Sequence, residues 1–158
     1  MEEQINAYLT FQTGNNTFAV SVNNVVEILE YHEPKTRQTT LPYLKGLIDH
    51  RDGVVPLIDS GLKFGLSPIE VNEQTCTIVL AVNPNKADEF HVAVMVDYVS
   101  DIIEVLDENK RSIVSSYKPG YISFATNTSD DKMVLALDVD KVFTDTDIIS
   151  MMNMRDGK

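Results

Sequence analysis

Phe18-Ala19-Val20-Ser21-Val22-Asn23-Asn24-Val25 and Val92-Ala93-Val94-Met95-Val96-Asp97-Tyr98-Val99 carry one pattern twice, at an offset of 74 residues. The same offset takes Glu27-Ile28-Leu29 onto Asp101-Ile102-Ile103 and Gly46-Leu47-Ile48 onto Gly120-Tyr121-Ile122. After a five-residue lengthening of the turn, Asp52 and Val55-Pro56-Leu57-Ile58-Asp59 match Asp131 and Val134-Leu135-Ala136-Leu137-Asp138. Chance matches between Val/Ile-rich strands do not hold a constant offset over about thirty residues. The repeat therefore predicts an all-β chain of two similar units of roughly five strands, each too small to be stable alone. Such units curl to remove exposed edges, and the seam between them is an apolar groove.

Around the repeat, the runs Tyr8–Thr13 and Thr17–Val22 flank Gly14-Asn15-Asn16, whose tolerance of positive φ predicts a hairpin. Asn23-Asn24 precedes Val25–Leu29, read as one helical turn running into a strand. Leu47–His50 and Val54–Ile58 flank Arg51-Asp52-Gly53, a second hairpin signal. Pro56 has no N–H for a ladder, so its strand is an edge or its amide position faces away from the sheet. Thr75–Val82 and His91–Val96 form a further pair across a polar loop, and strands also fit Asp101–Val105, Tyr121–Thr126 and Met133–Leu137. Asp145–Met154 reads as a closing helix, with Asp145 and Asp147 at its positive end. Within a single domain spanning 1–158, the boundaries expected are 14–75 for the first unit and 76–144 for the second. Residues 1–13 and 145–158 are expected to pack across both.

The 158 residues carry 13 Lys+Arg against 24 Asp+Glu, a net charge of −11. That balance excludes nucleic acid or an anionic membrane as main partner, because either needs a Lys/Arg-rich face. With 43% hydrophobic residues the chain is too apolar to be a disordered acidic tail. Cys76 is the single cysteine, which excludes an internal disulfide or a cysteine metal cluster. No apolar run approaches the ~20 residues that span a bilayer, so direct membrane insertion is not expected and a reducing cytoplasm is the natural compartment.

The chain also lacks the parts of an active site. His32, His50 and His91 have no ligand spacing to one another or to Cys76. Gly61 and Gly65 are not followed by the Lys-Ser/Thr of a phosphate loop. Asp138-Val139-Asp140 and Asp145-Thr146-Asp147 lack the central Gly and closing Glu of a calcium loop and read better as helix-terminal carboxylates. Neither an enzyme nor a cofactor is expected. Two charges in apolar surroundings stand out: Glu27 within Val-Val-Glu-Ile-Leu, and Arg51 at the Asp-Gly turn. The Arg fork can position the Glu27 carboxylate or reach a partner.

At these residues the chain resembles the CheW-like family of bacterial chemotaxis coupling proteins. The resemblance runs over about residues 7 to 145, through Tyr8-Leu9-Thr10-Phe11, Phe18-Ala19-Val20, Val25-Val26-Glu27-Ile28, Leu41-Pro42 and Gly46-Leu47-Ile48-Asp49-His50-Arg51. It continues through Val54-Val55-Pro56-Leu57-Ile58-Asp59, Lys63-Phe64-Gly65-Leu66, Val94–Ile103 and Val134–Asp138. Each fragment is a weak signal alone; their order and spacing together are specific. The resemblance implies two five-stranded SH3-like β-barrel subdomains packed side by side, with short helices and a C-terminal helix.

It also implies a non-catalytic adaptor, cytoplasmic and held near the inner membrane through receptor arrays. Its implied partners are the cytoplasmic tip of a methyl-accepting chemoreceptor and the regulatory domain of a CheA-type histidine kinase. The implied receptor-groove positions are Val25, Gly46, Val99 and Ile102, with Ala93 nearby, and Glu27 and Arg51 are implied to pair. Pro56, Asp59, Asp97 and Asp138 fall on structural motif positions. Asp49, His50 and Asp52 depart from the family pattern of Asn, an apolar residue and Gly. Phe124 stands where the second half often has Gly. The competing expectations are a divergent scaffold serving a non-chemotaxis kinase pathway, a piece of a larger kinase hybrid, and a groove that binds a small ligand.

Overall fold

The computed structural model describes residues 6–35, 41–51, 53–113 and 120–157. In chain order the elements are β1 (Ala7–Thr13), β2 (Asn16–Ser21), a 3-10 turn (Val22–Asn24), β3 (Val25–Glu30), β4 (Leu44–His50), β5 (Gly53–Asp59) and α1 (Ser60–Lys63). There follow β6 (Cys76–Val82), β7 (Phe90–Val96), β8 (Tyr98–Glu104), a 3-10 turn (Asp107–Asn109), β9 (Ile122–Asn127), β10 (Met133–Leu137), α2 (Val139–Val142) and α3 (Asp145–Arg155). The turn-then-strand reading of residues 22–29 holds: the Ser21 hydroxyl accepts from the Asn23 N–H at 3.2 Å and β3 begins at Val25. Asp52, in the second hairpin signal, lies outside the described residues.

The strands form two five-stranded sheets, ordered β8-β1-β2-β10-β9 and β3-β6-β7-β5-β4. Replacing each strand of the first by its repeat mate five places along reproduces the second. The boundary expected at residues 75/76 is therefore corrected. The hairpin β1–β2 takes β8, β9 and β10 from the second repeat, and the hairpin β6–β7 takes β3, β4 and β5 from the first. Val25 pairs with Leu80 and Ile28 with Ile78, while Val99 pairs with Phe11 and Ile102 with Leu9. So the 74-residue offset is exact along β2–β3 and β7–β8. In the later strands it slips. Gly46 faces Leu57, whereas Phe124 faces Ala136, and Gly120 precedes β9. Phe124, not Gly120, is the mate of Gly46. Gly46 sits at a register shift with φ 148°, a conformation that favours glycine, and Phe124 instead fills a core.

Crossing the sheets explains the near-continuous hydrophobic runs of β6 and β7, since strands covered on both faces lose their polar alternation. Val92, Val94 and Val96 join Leu9, Phe11 and Val20 of the opposite sheet in a central core. Ala93 and Met95, on the other face, pack with Leu57, Val79 and Ile69 in the interior of their own sheet. Val105, Phe124 and Ala136 make the corresponding core of the first sheet. Pro56 lies in an internal strand, not at an edge. Opposite it, Leu47 directs both backbone polar groups outward to Lys35, at 2.9 and 2.8 Å, so Pro56 forms a pair that needs no N–H toward β4. On the β7 side the ladder begins only at Leu57.

The C-terminal helix forms where expected, with a capping box: Thr144 Oγ1 accepts from the Asp147 N–H at 3.1 Å and Asp147 Oδ2 accepts from the Thr144 N–H at 3.3 Å. Met151 and Met154 enter the central core while Met152 faces solvent. No helix among the described residues is long and apolar enough to cross a membrane.

Candidate partner-binding site

β3 and β8 are edge strands, one of each sheet, and each carries a register shift at its start. The shift inserts Val26 into β3 and Ser100 into β8. A bulge of this kind lets residues three apart share a face that strict alternation would deny them. Hence Val25 and Ile28 share a face, as do Val99 and Ile102, because their cross-strand partners Leu80, Ile78, Phe11 and Leu9 all belong to the central core. Val25 and Val99 pack half-buried against that core. Ile28 and Ile102 reach solvent, at 44% and 60% exposure. An apolar stripe thus borders the seam from both sides. Beside β3 and the start of β8 lies a cleft of about 820 Å³, walled by Ile28, Leu29 and Tyr31, by the segment 71–76, and by Tyr98 and Val99.

The positions expected to touch a partner do not all meet there. Ala93 is fully buried between β5 and β6, opposite Leu57 and Val79, and offers no surface: that expectation is corrected. Gly46 is also buried, and its role is in the β4 backbone. Ile28 and Tyr98 were not singled out by sequence reasoning. The signal for Ile28 was present, because the offset makes it the mate of Ile102.

Glu27 is held differently from the implied Glu–Arg pair. Its carboxylate bonds His50 Nε2 at 2.8 Å, and Arg51 Nε stands 4.0 Å away. His50 is buried, whereas the Arg51 side chain is 64% exposed. Glu27 lies on the outer strand β3 and His50 on the outer strand β4, beyond the Leu47–Lys35 bridge, so this contact draws the two outer strands of one sheet together. His50, a departure from the family pattern, has taken the near position. Arg51 holds a left-handed φ of 56° at the hairpin tip. Exposed pairs contribute about 0–1 kcal/mol. Arg51→Glu is accordingly expected to shift stability by less than about 1 kcal/mol in urea denaturation. A loss of several kcal/mol would show the guanidinium to be part of the packed structure.

The motif carboxylates serve the backbone. Asp59, buried, caps α1 by accepting from the Leu62 N–H at 3.2 Å and also takes the Ile69 N–H at 3.1 Å. Asp138 caps α2 from the mated position, accepting from the Asp140 N–H at 3.1 Å. Asp97 accepts from the Gly14 N–H at 2.7 Å, and its own N–H donates to the Gln12 carbonyl at 3.0 Å, fastening β7 to the first hairpin. At the end of α1, the Lys63 ammonium lies 5.1, 5.4 and 5.7 Å from the ring centres of Tyr43, Tyr121 and Phe143. Burial lowers the Lys63 pKa, opposed by the Asp147 carboxylate. Burial also raises the Tyr43 and Tyr121 phenols, and Asp147 adds to the rise at Tyr43.

The comparisons with known proteins agree with this geometry. The family model described as CheW-like domain matches residues 7–147. The chain is similar to chemotaxis protein CheW of Klebsiella aerogenes, 24% identical over 154 residues, covering 93% of this chain and 87% of that protein. It is also similar to a probable chemotaxis protein CheW of Rhizobium etli, 26% identical over 141 residues and covering 88% of each. In fold it resembles the crystal structure of scaffolding protein TtCheW from Thermoanaerobacter tengcongensis, with a TM-score of 0.76, 16% identity and 90% of each chain covered. Two crossed five-stranded sheets with an apolar seam define the class as a duplicated β scaffold. Within that class, the chain belongs to the CheW-like family.

Proposed function

We propose that this protein is a non-catalytic chemotaxis adaptor, coupling the cytoplasmic tip of a transmembrane chemoreceptor to the regulatory domain of a CheA-type histidine kinase. The observation that carries the reading is the stripe Val25, Ile28, Val99 and Ile102 at the edges of the seam, in a chain of the CheW-like family. A receptor tip is helical by the family resemblance, and an apolar helix face laid along a seam is anchored by side chains such as these, with polar neighbours setting register. Glu27 and the exposed Arg51, at the rim of the same sheet, supply such neighbours. A working place in the cytoplasm, gathered to the inner membrane by the receptors, follows from this reading.

Reconstitution tests it. The purified protein, a receptor cytoplasmic fragment and the kinase of the same organism are expected to form a ternary complex, with kinase autophosphorylation changed by the complete set. Absence of binding to both partners at micromolar concentration would overturn the proposal. Binding to a kinase that takes no receptor would replace it with the non-chemotaxis scaffold, a reading favoured only by the Asp49–His50 departure in the β4–β5 hairpin.

A further inference from the structure

Two features break the internal repeat, and they meet. β1 and β2 are joined by Gly14-Asn15, but their mates β6 and β7 are joined by residues 83–89. α2 is followed by the eleven-residue α3, whereas residues 64–75 after α1 contain no helix. Between residues 83–89 and α3 runs a cleft of about 500 Å³ with Ala87, Phe90, Ile148, Ile149 and Met152 in its walls. Ile149 is 57% exposed and Met152 37%, one turn apart on the helix face beside the buried Met151 and Met154.

The loop wall is fixed by its own bonds. Asn83 and Asn85 hold left-handed φ values of 52° and 65°. The Asn83 N–H donates to Asp140 Oδ1 at 2.7 Å, and its side chain donates to Asp88 Oδ2 at 3.1 Å. The Asn85 N–H donates to Glu89 Oε1 at 2.8 Å. That donor and the His91 ring hold the Glu89 carboxyl below its ordinary pKa. A preformed wall does not have to be ordered when a partner binds. The rim is acidic: Asp88, Glu89 and Asp145 are exposed around the apolar floor. Among the described residues that line the cleft the one cation is Arg155, and it is committed, with Nε on Asp156 Oδ1 at 3.0 Å and the guanidinium 5.4 Å from the Phe90 ring centre; Lys86 of the same loop is exposed outside the lining.

We infer that the cleft between residues 83–89 and α3 is a docking surface for a cationic amphipathic helix of a partner protein, separate from the β3–β8 seam and independent of the adaptor reading. Apolar side chains of that helix would lie on Ile149 and Met152 while its Lys or Arg residues meet Asp88, Glu89 and Asp145. The charge pattern selects this occupant over an acidic one, and the net charge of −11 disfavours a second copy of the chain.

The test uses the full chain and two labelled helical peptides, one of Leu and Lys and one of Leu and Glu, in fluorescence anisotropy at physiological salt. The Leu/Lys peptide is expected to bind and the Leu/Glu peptide not. Ile149→Ser with Met152→Ser, and separately Asp88→Lys with Asp145→Lys, are each expected to weaken binding by about tenfold or more. Glu108→Lys with Asp130→Lys changes net charge as much at exposed sites away from the cleft and is expected to leave binding unchanged. All four side chains replaced in the cleft are exposed, and thermal melting verifies that each variant folds. Equal loss in the Glu108/Asp130 variant, or no loss in the cleft variants, would overturn the inference in favour of diffuse charge attraction. Concentration-dependent dimerisation in sedimentation, abolished by the Ile149/Met152 variant, would overturn it in favour of self-association.

Discussion

Replacing Ile28 and Ile102 together by Asp is expected to leave the protein folded while reducing its affinity for a receptor cytoplasmic fragment about a hundredfold or more. The two side chains are mates in the repeat and project from edge strands at 44% and 60% exposure, so their removal opens no cavity. Surface substitutions of this kind usually fall within about 0.5 kcal/mol each. Beneath them, Val25 and Val99 remain packed on the central core and keep the seam closed. What changes is the surface a receptor helix would cover. Two carboxylates would have to be desolvated against an apolar helix face, and each buried, unpaired charge is costly. The measurement is a titration of the variant with the receptor fragment, beside circular dichroism melting. A folded double variant with unchanged receptor affinity would remove the stripe from the interface. Unchanged kinase binding alongside lost receptor binding would separate the two contacts.

The largest effect on stability is expected from Gly61→Ala. Gly61 lies in α1, capped by the buried Asp59, and residues 64–69 fold back over it. The Leu66 N–H donates to the Gly61 carbonyl at 2.7 Å, and the Ser67 carbonyl comes so close that an added Cβ would stand 2.0 Å from its oxygen. The clashing atom is backbone, so no side-chain rotation relieves it. Either the 64–69 segment lifts, taking Ile69 out of its core and its N–H away from Asp59, or α1 shifts. Overpacking costs about 1–3 kcal/mol where the surroundings relax and more where they do not. With two packed groups disturbed, about 3 kcal/mol or more is expected, or a fall in melting temperature near 10 °C for a domain of this size. Gly53→Ala, at a glycine with nothing within 4 Å of the added carbon, is the matched control, expected to change stability little. Equal stability of the two variants would show that the segment after α1 yields freely.

Most of the strands were legible because each has its own signal. Gly14-Asn15 sets the first hairpin, and the positions of β2–β3 and β7–β8 follow from a repeat that keeps its register to the residue. The positions carried by that repeat were legible too: Val25, Val99 and Ile102 lie on the edge strands β3 and β8, and Ile28 follows by symmetry as the mate of Ile102. The part beyond the repeat was less so. Nothing in the composition of Asp49-His50-Arg51 shows that the buried His50, not Arg51, lies within hydrogen-bond distance of Glu27, since that depends on how the two outer strands of the sheet meet. Ala93 read as a groove neighbour because a small residue in a strand looks the same whether it lines a surface or fills a core.

By itself the sequence determined that this protein is all-β, built twice, and provided with one closing helix. Those properties rest on local turn chemistry, alternation and the duplicated pattern. Only the tertiary structure decided which strands share a sheet. A strand that alternates with period two satisfies a neighbour from its own repeat as well as one from the other, so pairing is degenerate in the sequence. The packing of both sheets around one central core selects the crossed arrangement, with β3 leaving for the second hairpin and β8 for the first. That exchange sets β3 and β8 on opposite sides of the seam and brings Ile28 and Val99, far apart in the chain, to one cleft.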